Sequence, residues 1–451
     1  MQYDKSNLIK FINYRTLSLW DVKRYMQNHI SLKNAVKLKD ILYPFFKSVT
    51  KAELSSNNWQ IISKINFAGE LFLRDKNETE TFKGNLKIVN PDSLIYSKIN
   101  VRHGCIYYHP KNSTPFAVSS EYPAYKIDST KILGEYLVMV IQSKNFKSIL
   151  SKKATGISKA RVKPSEFLEI EIPVPELHIQ ERLLRTYETR INEANNFENN
   201  AIQIEKDIDN YLMKSLGTVI KQEKECTINK YQYLKFINFF EVCEWGIDII
   251  TKKQKREIFK YPVMKIKTLC QLGSGGTPSR SCPQYFKGNI PWVKTGEVVN
   301  DEILETEEHI TEEAIVNSSA KLYPKGSLII AMYGQGDTRG RTAKLGIDAT
   351  TNQACAVLHD IDNNIVSTDY LWYYLQGRYD DLRSLASGNN QPNLNAGKIN
   401  NYDVVVPPMS VQNEIVTYIR EQKALVKQLK QKAIFIREEA LKEFETSIFS
   451  N

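Results

Sequence analysis

The sequence lacks long apolar runs and paired cysteines. A membrane-spanning helix needs ~20 apolar residues in succession, and no segment approaches that length. The first residues, MQYDKSNLIKF, also lack the basic segment and apolar core of a secretory signal. The 6 cysteines, at positions 105, 226, 243, 270, 282 and 355, form no CxxC pair and no regular spacing, which disfavours a zinc site or a disulfide framework. We therefore expect a cytoplasmic protein with reduced thiols and no membrane partner.

Motifs of common enzyme classes are missing as well. GSGGTPSRS, from Gly273, lacks the lysine of a phosphate-binding loop, and GQGDTRG, from Gly334, has the wrong spacing for a dinucleotide-binding loop. The one Pro-Pro pair, Pro407-Pro408, lacks the flanking Asn or Asp and the aromatic residue expected in a methyltransferase acting on base amino groups. The 6 histidines form no HExxH motif. These absences predict that the chain has no catalytic, cofactor or metal site.

Composition and charge indicate how many domains the chain has and what kind of partner it binds. The chain has 451 residues, of which 42% are hydrophobic, so two or more domains with cores of their own are expected. Its 61 Lys and Arg exceed its 51 Asp and Glu, giving a formal charge of +10 and a pI near 9.0. A basic chain of this kind favours a polyanionic partner.

Two long segments repeat each other at a constant offset and without a gap. One begins PELHIQERLL at Pro175, and the other begins PPMSVQNEIV at Pro407. Apolar residues recur in each at steps of mostly three, four and seven, which indicates a long amphipathic helix that starts at the proline. The predicted helix-packing residues are Ile179, Leu183, Phe197, Ile204 and Leu212 in the first copy and Val411, Ile415, Leu429, Ile436 and Phe444 in the second.

Shorter matches extend the repeat over the whole chain. KFINYRTLSLW at 10–20 recurs as KFINFFEVCEW at 235–245, KLKDIL at 37–42 as KIKTLC at 265–270, and PDSLIYSKI at 91–99 as KGSLIIAMY at 325–333. The segment around Trp59 matches the one around Trp292. The chain therefore reads as a tandem duplication whose junction is predicted at 221–224.

Each copy begins with short β-branched and aromatic runs separated by Gly, Pro, Asn and Ser, which predicts an α+β globular domain. We place the first globular domain at 1–174, its helix at 175–217, a linker and the second globular domain at 218–406, and the last helix at 407–451. Each helix would be ~60 Å long, too long to bury its apolar side against one small domain. We expect the two helices to pack as an antiparallel, coiled-coil-like pair with a pseudo-two-fold relation between the copies; in the alternative, each helix docks only on its own domain.

Three local motifs lie in order in the second copy: GGTPSR from Gly275, IPWVKTGE from Ile290 and NQACAV from Asn352. With the Pro-rich start of the last helix, they make residues 263–451 resemble the specificity (S) subunits of type I restriction-modification enzymes. In the first copy, ATGISKARVKPSEFLEIEIPVPELHIQ fits the same pattern before the helix, although residues 43–58 contain no GGTPS. The resemblance implies two target-recognition domains that alternate with two spacer helices.

That family resemblance implies a non-catalytic subunit that recognises an asymmetric, bipartite site in double-stranded DNA. Its partners would be methyltransferase (M) subunits, two of them expected, and restriction/translocase (R) subunits. S-adenosylmethionine, ATP and Mg²⁺ would bind those partners and not this chain. Two alternatives remain open: a specificity adaptor for another modification or defence system, such as a methyltransferase-nuclease fusion, and a coiled-coil scaffold whose basic charge is incidental.

Candidate DNA contacts follow from residue type. Basic residues could lie along phosphates, Arg and Lys could reach guanine edges, and Asn and Gln could pair with adenine. The candidates are Lys152, Lys153, Lys159, Arg161 and Lys163 in the first copy, and Thr277, Ser279, Arg280, Lys294, Gln335, Arg339, Arg341, Asn389, Asn390, Gln391 and Asn393 in the second. A solvated basic surface, Asn residues that only form turns, and a GGTPS segment that only shapes the domain are the structural alternatives. Trp59 and Trp292 are expected in the core.

Overall fold

The fold was obtained as a computed structural model, which describes residues 34–44, 47–75, 82–99, 101–153, 161–220, 257–334, 336–385 and 394–449. The chain divides into two compact units. The first ends at Phe197 and resumes at Gln431, and the second is Glu198–Lys430. The repeated segments at 10–20 and 235–245 and the predicted junction at 221–224 lie outside the described residues.

The first unit combines short strands with helices. Its strands are β1 (Ala35–Lys37), β2 (Leu42–Pro44), β3 (Lys47–Val49), β4 (Ile62–Ile65), β5 (Leu71–Leu73), β6 (Leu86–Val89), β7 (Ser93–Tyr96), β8 (Ile106–His109), β9 (Phe116–Val118), β10 (Ala124–Ile127) and β11 (Glu171–Pro173). Its shorter helices are α1 (Lys51–Asn57), α2 (Gly134–Gln142), α3 (Lys144–Lys153) and α4 (Pro164–Leu168). The long helix α5 (Leu177–Ser215) begins in this unit and continues into the second.

The second unit repeats this pattern. Its strands are β12 (Val219–Ile220), β13 (Glu257–Ile258), β14 (Val263–Lys265), β15 (Gln271–Ser274), β16 (Ile290–Val293), β17 (Glu302–Ile303), β18 (Glu308–Ile310), β19 (Leu328–Ala331), β20 (Thr342–Leu345), β21 (Thr350–Thr351), β22 (Cys355–His359) and β23 (Asp403–Val405). Its shorter helices are α6 (Glu312–Val316), α7 (Thr368–Gly377), α8 (Tyr379–Ser384) and α9 (Ala396–Asn400). The long helix α10 (Met409–Phe449) begins here and ends in the first unit.

The central sheets of the two units have the same strand order. In the first unit the order is β2-β10-β7-β8, and in the second it is β15-β22-β19-β20, with β17 added in parallel at the edge. The matched segments PDSLIYSKI and KGSLIIAMY supply the inner strands β7 and β19, which are buried at all four positions of each strand. The prediction of an α+β tandem repeat is confirmed.

The two long helices run antiparallel within each unit. In the first unit, Phe197 of α5 packs with Ile436 of α10, and Arg190 pairs with Glu443 at 3.2 Å. In the second unit, the rings of Tyr211 and Tyr418 stack with centroids 3.8 Å apart. The expectation of an antiparallel, coiled-coil-like pair is confirmed, and the alternative in which each helix docks only on its own domain is wrong.

The predicted helix-packing positions fall into three groups. Leu183 and Phe444 join the core of the first unit, Phe197 and Ile436 form a cluster between the helices, and Ile204, Leu212, Val411 and Ile415 join the core of the second unit. Ile179 and Leu429 are half-buried. The helix ends therefore stabilise the globular cores, whereas the middle of the pair depends on helix-to-helix contact.

A buried glutamine fixes the start of each long helix to its globular domain. Gln180 accepts a hydrogen bond from the Leu133 amide at 2.9 Å and donates to the carbonyls of Lys131 and Pro175. Gln412, the matching residue of the second copy, makes the same three bonds, to Ser367, Ile365 and Pro407. Both side chains are fully buried. This repetition rigidly orients each helix on the domain that precedes it.

The prolines lie just before these helices and not at their first residue. The helices begin at Leu177 and Met409, two residues after Pro175 and Pro407. The carbonyl of each of those prolines instead accepts a bond from the buried glutamine. The predicted helix starts were therefore two residues early, because the prolines belong to the docking turn.

Candidate nucleic-acid interface

The three motif segments of the second unit come together in space. The Gly276 amide donates to the Thr351 carbonyl at 2.8 Å, and the Trp292 indole N–H donates to the Gly276 carbonyl at 3.0 Å. Thr295 Oγ1 donates to Asn352 Oδ1 at 3.0 Å. GGTPSR, IPWVKTGE and NQACAV thus form one structural cluster.

The glycines of GGTPSR permit close packing. A Cβ on Gly275 would lie 2.2 Å from the Thr351 carbonyl oxygen, and one on Gly276 would lie 2.2 Å from the Ala320 nitrogen. Such distances are impossible for real carbon atoms, so these positions require glycine. This supports a shaping role for the glycines. Trp292 is buried, as expected for a core residue, and Trp59 is half-buried beside Leu54.

The polar residues after these glycines lie on the surface. Thr277 and Ser279 are exposed, and the Ser279 hydroxyl is 2.7 Å from that of Ser281. Hydroxyls of this kind can contact a DNA backbone. Their proposed role in DNA binding stays a prediction.

Arg280 and Lys294 are brought together by carboxylates of strand β18 and the residue before it. Arg280 makes two hydrogen bonds to Glu308, at 2.7 and 3.2 Å, and its guanidinium lies 4.0 Å from the Phe286 ring centroid. Lys294 Nζ lies 2.5 Å from Glu307 and 3.3 Å from Glu308. Both cations are therefore held in fixed positions on one surface.

These ion pairs shift the pKa of their members. The hydrogen bond from Arg280 holds the pKa of the Glu308 carboxyl below its usual range, and the bond to Glu307 raises the pKa of the Lys294 amine. Exposed ion pairs of this kind contribute only ~0–1 kcal/mol.

A second group of candidates lies on the 336–341 part of the loop between β19 and β20. Arg339 and Arg341 are half-buried on either side of Gly340. Helix α8 supports this loop, because the Tyr379 hydroxyl donates to the Asp337 carbonyl at 2.8 Å and Arg383 donates to that hydroxyl at 2.6 Å. Gln335 lies outside the described residues.

The Asn-rich segment ends beside the same loop. Asn389, Asn390, Gln391 and Asn393 lie outside the described residues. Leu394, the first described residue after them, donates its amide to the Met332 carbonyl at 3.2 Å. The structure therefore brings the end of this segment close to the loop that carries Arg339 and Arg341.

The first unit has the corresponding arrangement. The Val162 amide donates to the Lys98 carbonyl at 3.2 Å, matching the bond between Leu394 and Met332. Arg161 lies 3.5 Å from Glu121, and Lys163 is exposed before α4. Lys152 and Lys153 are in the last turn of α3, and Lys159 lies outside the described residues. Val162, within the basic stretch of the first unit, and Leu394, just after the Asn-rich stretch of the second, therefore occupy equivalent positions.

Sequence reasoning missed the acidic partners. Glu307 and Glu308 follow Lys294 closely in the chain, and the acidic run from Glu302 to Glu308 was a visible signal. Only the pairing of β16 with β18, which sets Trp292 opposite Glu308, shows that these carboxylates face the basic candidates.

Residues 260–433 match the family model of the type I restriction modification DNA specificity domain. This segment is similar to the type I DNA specificity domains. It contains the GGTPSR, IPWVKTGE and NQACAV cluster and the first half of α10. The resemblance stated from the sequence motifs is confirmed.

Curated proteins similar to this chain have matching descriptions. The type I restriction enzyme MjaIX specificity subunit of Methanocaldococcus jannaschii is 26% identical over 203 residues, which is 43% of this chain and 46% of that protein. The EcoR124I/EcoR124II specificity subunit of Escherichia coli is 28% identical over 165 residues, 35% of this chain and 40% of that protein. The chain thus spans less than half the length of these relatives.

The fold matches a solved structure over a larger part of the chain than the curated relatives do. A chain from a solved structure titled as the basis of complex assembly and conformational transition of the type I R-M system covers 93% of this chain and 97% of its own length, with a TM-score of 0.57 and 16% identity. At that identity the match shows a shared fold. Within the described residues, no helix is long and apolar enough to cross a membrane.

Proposed function

We propose that this chain is the DNA specificity subunit of a type I restriction-modification complex and recognises an asymmetric, bipartite DNA site. The observation that carries this proposal is the pair of units with the same sheet order, one of which contains the matched DNA specificity domain. A protein with two such units in one chain is suited to reading two half-sites.

The asymmetry of the site follows from the differences between the units. Where the second unit carries GGTPSR and the paired cations Arg280 and Lys294, the first has no GGTPS segment. Where the first unit has lysines in α3 and Arg161, the second has the Asn-rich segment before α9. Side chains that differ at equivalent positions read different bases.

The long helices supply the distance between the half-sites. Helix α5 has 39 residues and α10 has 41, and at ~1.5 Å per residue each is about 60 Å long. This length exceeds one turn of B-DNA at ~3.4 Å per base pair. A stretch of unread base pairs should therefore separate the two half-sites.

The chain would act through partner subunits. Methyltransferase subunits, two in number, and restriction/translocase subunits would be directed to the recognised site. S-adenosylmethionine, ATP and Mg²⁺ would bind those subunits, and this chain would be non-catalytic. The relatives named as specificity subunits of type I enzymes support the existence of such partners.

Reconstitution tests this function. The purified chain should shift duplex DNA weakly, and a cognate methyltransferase subunit should methylate adenine at one defined site only when this chain is added. The matched control is the methyltransferase with an Arg280→Ala, Arg341→Ala variant of this chain, which should lose site preference. Methylation by this chain alone, or methylation without any sequence preference, would overturn the proposal.

A further inference from the structure

An aromatic ring of the first unit projects into solvent from a rigid loop. Phe67 lies between β4 and β5, and 63% of it is exposed. Its ring lies against His103, with centroids 5.3 Å apart. Single exposed apolar residues are common on proteins. Whether Phe67 has a binding role therefore depends on how firmly its backbone is held and on the charge of the residues around its ring.

The backbone that carries Phe67 is held by several contacts. The Asn66 Oδ1 atom accepts hydrogen bonds from the amides of Ala68 and Glu70, at 3.1 and 2.8 Å. From helix α2, Gln142 donates to the Ala68 carbonyl at 3.5 Å. A Cβ on Gly104 would lie 2.7 Å from the Phe67 carbonyl oxygen. The ring is therefore presented in a fixed position, which lowers the entropy cost of any contact it makes.

The surface beside the ring is basic. His103 ends a short helical turn that packs against helix α3, and the end of the Lys147 side chain is 3.4 Å from the Cβ position of Gly104. Helix α3 contains no acidic residue and has Lys144 and Lys147 in its first turn, where the Lys144 amide donates to the Glu445 carboxylate at 2.7 Å. The one nearby acid of the loop, Glu70, accepts a hydrogen bond from the Asn66 amide group. An aromatic ring among lysines has the chemistry of a nucleic-acid contact.

We infer that Phe67 stacks on a DNA base or inserts at a base step while Lys144 and Lys147 of α3 contact the adjacent phosphates. The inference rests on the proposed function and adds a contact in the first unit that its basic stretch alone does not supply. Stacking of a base on an aromatic side chain contributes about 1–3 kcal/mol by alanine substitution. That range corresponds to a loss of roughly 5- to 150-fold in affinity.

The second unit offers a matched control. Val299 is the counterpart of Phe67, and 53% of it is exposed. Both loops are held in the same way, because the carbonyl of the residue after Phe67 accepts from Gln142 at 3.5 Å and that of the residue after Val299 accepts from Gln376 at 3.4 Å. The sequence neighbours of Val299, however, are acids that would repel phosphates: Glu297, Asp301 and Glu302. The charges around the two residues therefore indicate that Phe67, and not Val299, contacts DNA.

The test compares Phe67→Ala, Phe67→Trp and Val299→Ala in the assembled complex with the cognate methyltransferase subunit. Affinity for a duplex that contains the recognised site is measured from low to moderate salt. Phe67→Ala should bind 5- to 150-fold more weakly with an unchanged salt dependence, because the lysines remain. Phe67→Trp should restore affinity, and Val299→Ala should stay within twofold of the parent. A 2-aminopurine probe in the half-site of the first unit should brighten in the parent complex and less so in Phe67→Ala.

Two results would overturn the inference. One is DNA affinity of Phe67→Ala within twofold of the parent. The other is loss of the methyltransferase subunit from both Phe67→Ala and Val299→Ala, measured as complex mass, which would make the two loop tips protein-docking residues. If the parent complex itself showed no site preference, the proposed function would fail instead, so the two failures are distinguishable.

Discussion

Replacing Gln412 with alanine should loosen the start of helix α10. The buried side chain makes three hydrogen bonds: it accepts from the Ser367 amide at 2.7 Å and donates to the carbonyls of Ile365 and Pro407 at 3.0 and 2.8 Å. Each buried bond contributes about 1 kcal/mol net, and a partner left unsatisfied costs about 1–3 kcal/mol. The variant should therefore lose about 3 kcal/mol, and more if no water enters to satisfy the three partners.

Hydrogen exchange measures this loss locally. A loss of about 3 kcal/mol corresponds to roughly 100-fold faster exchange where opening limits it. The Ser367 amide and the first turns of α7 and α10 should show this acceleration, whereas peptides from β7 and β8 of the first unit should keep their rates. Gln180→Ala should give the mirror result, with faster exchange at Leu133 and in the first turn of α5.

An exposed glutamine provides the control. Gln203, on α5, makes one hydrogen bond to Asp207 at 3.1 Å, and Gln203→Ala should change exchange by less than about twofold, since such surface changes are usually within ±0.5 kcal/mol. If Gln412→Ala also stayed within twofold, the buried glutamine would not hold the helix and this reasoning would be refuted.

Three further predictions follow from the same structure. Gly276→Ala should destabilise the second unit by at least about 1–3 kcal/mol, because its Cβ would lie 2.2 Å from the Ala320 nitrogen; urea denaturation checks this, and an unchanged midpoint would contradict it. Burial lowers the pKa of His109, so the unfolded chain binds a proton first and stability should fall as the pH drops below about 6.5; His109→Phe should flatten that dependence in thermal denaturation at pH 5 to 8. Inserting four residues after Ala201 adds about 6 Å of helix and should lengthen the unread spacer by up to about two base pairs without changing either half-site, as methylation mapping would show.

Most of the fold was predicted from the internal repeat. A constant offset that aligned Leu183 with Ile415 and Ile204 with Ile436 defined both long helices and made pairing within one chain the simplest arrangement. Short β-branched and aromatic runs between turn residues also predicted several strands in each globular part; the inner strands β7 and β19 lie in the matched segments PDSLIYSKI and KGSLIIAMY. These features are local or repeated, and both kinds can be read from sequence.

The details of the candidate site depend on contacts that are distant in sequence. Arg280 and Glu308 are 28 residues apart in the chain, and Lys294, which directly follows β16, reaches Glu308 because β16 pairs with β18. No local rule gives that pairing, so the carboxylate partners of the basic candidates could not be predicted. The helix starts were misplaced by two residues because Gln180 and Gln412 draw the preceding prolines into a docking turn, which is a tertiary contact.

Long-read sequencing of methylated adenines in the host genome, with and without this chain, tests the central claim most directly. We expect one motif made of two different half-sites separated by a fixed number of unread base pairs, present only with the chain. Replacing residues 34–174 with the corresponding domain of another specificity subunit should change one half-site and leave the other intact. A palindromic or uninterrupted motif, or a methylation pattern that does not depend on the chain, would contradict it.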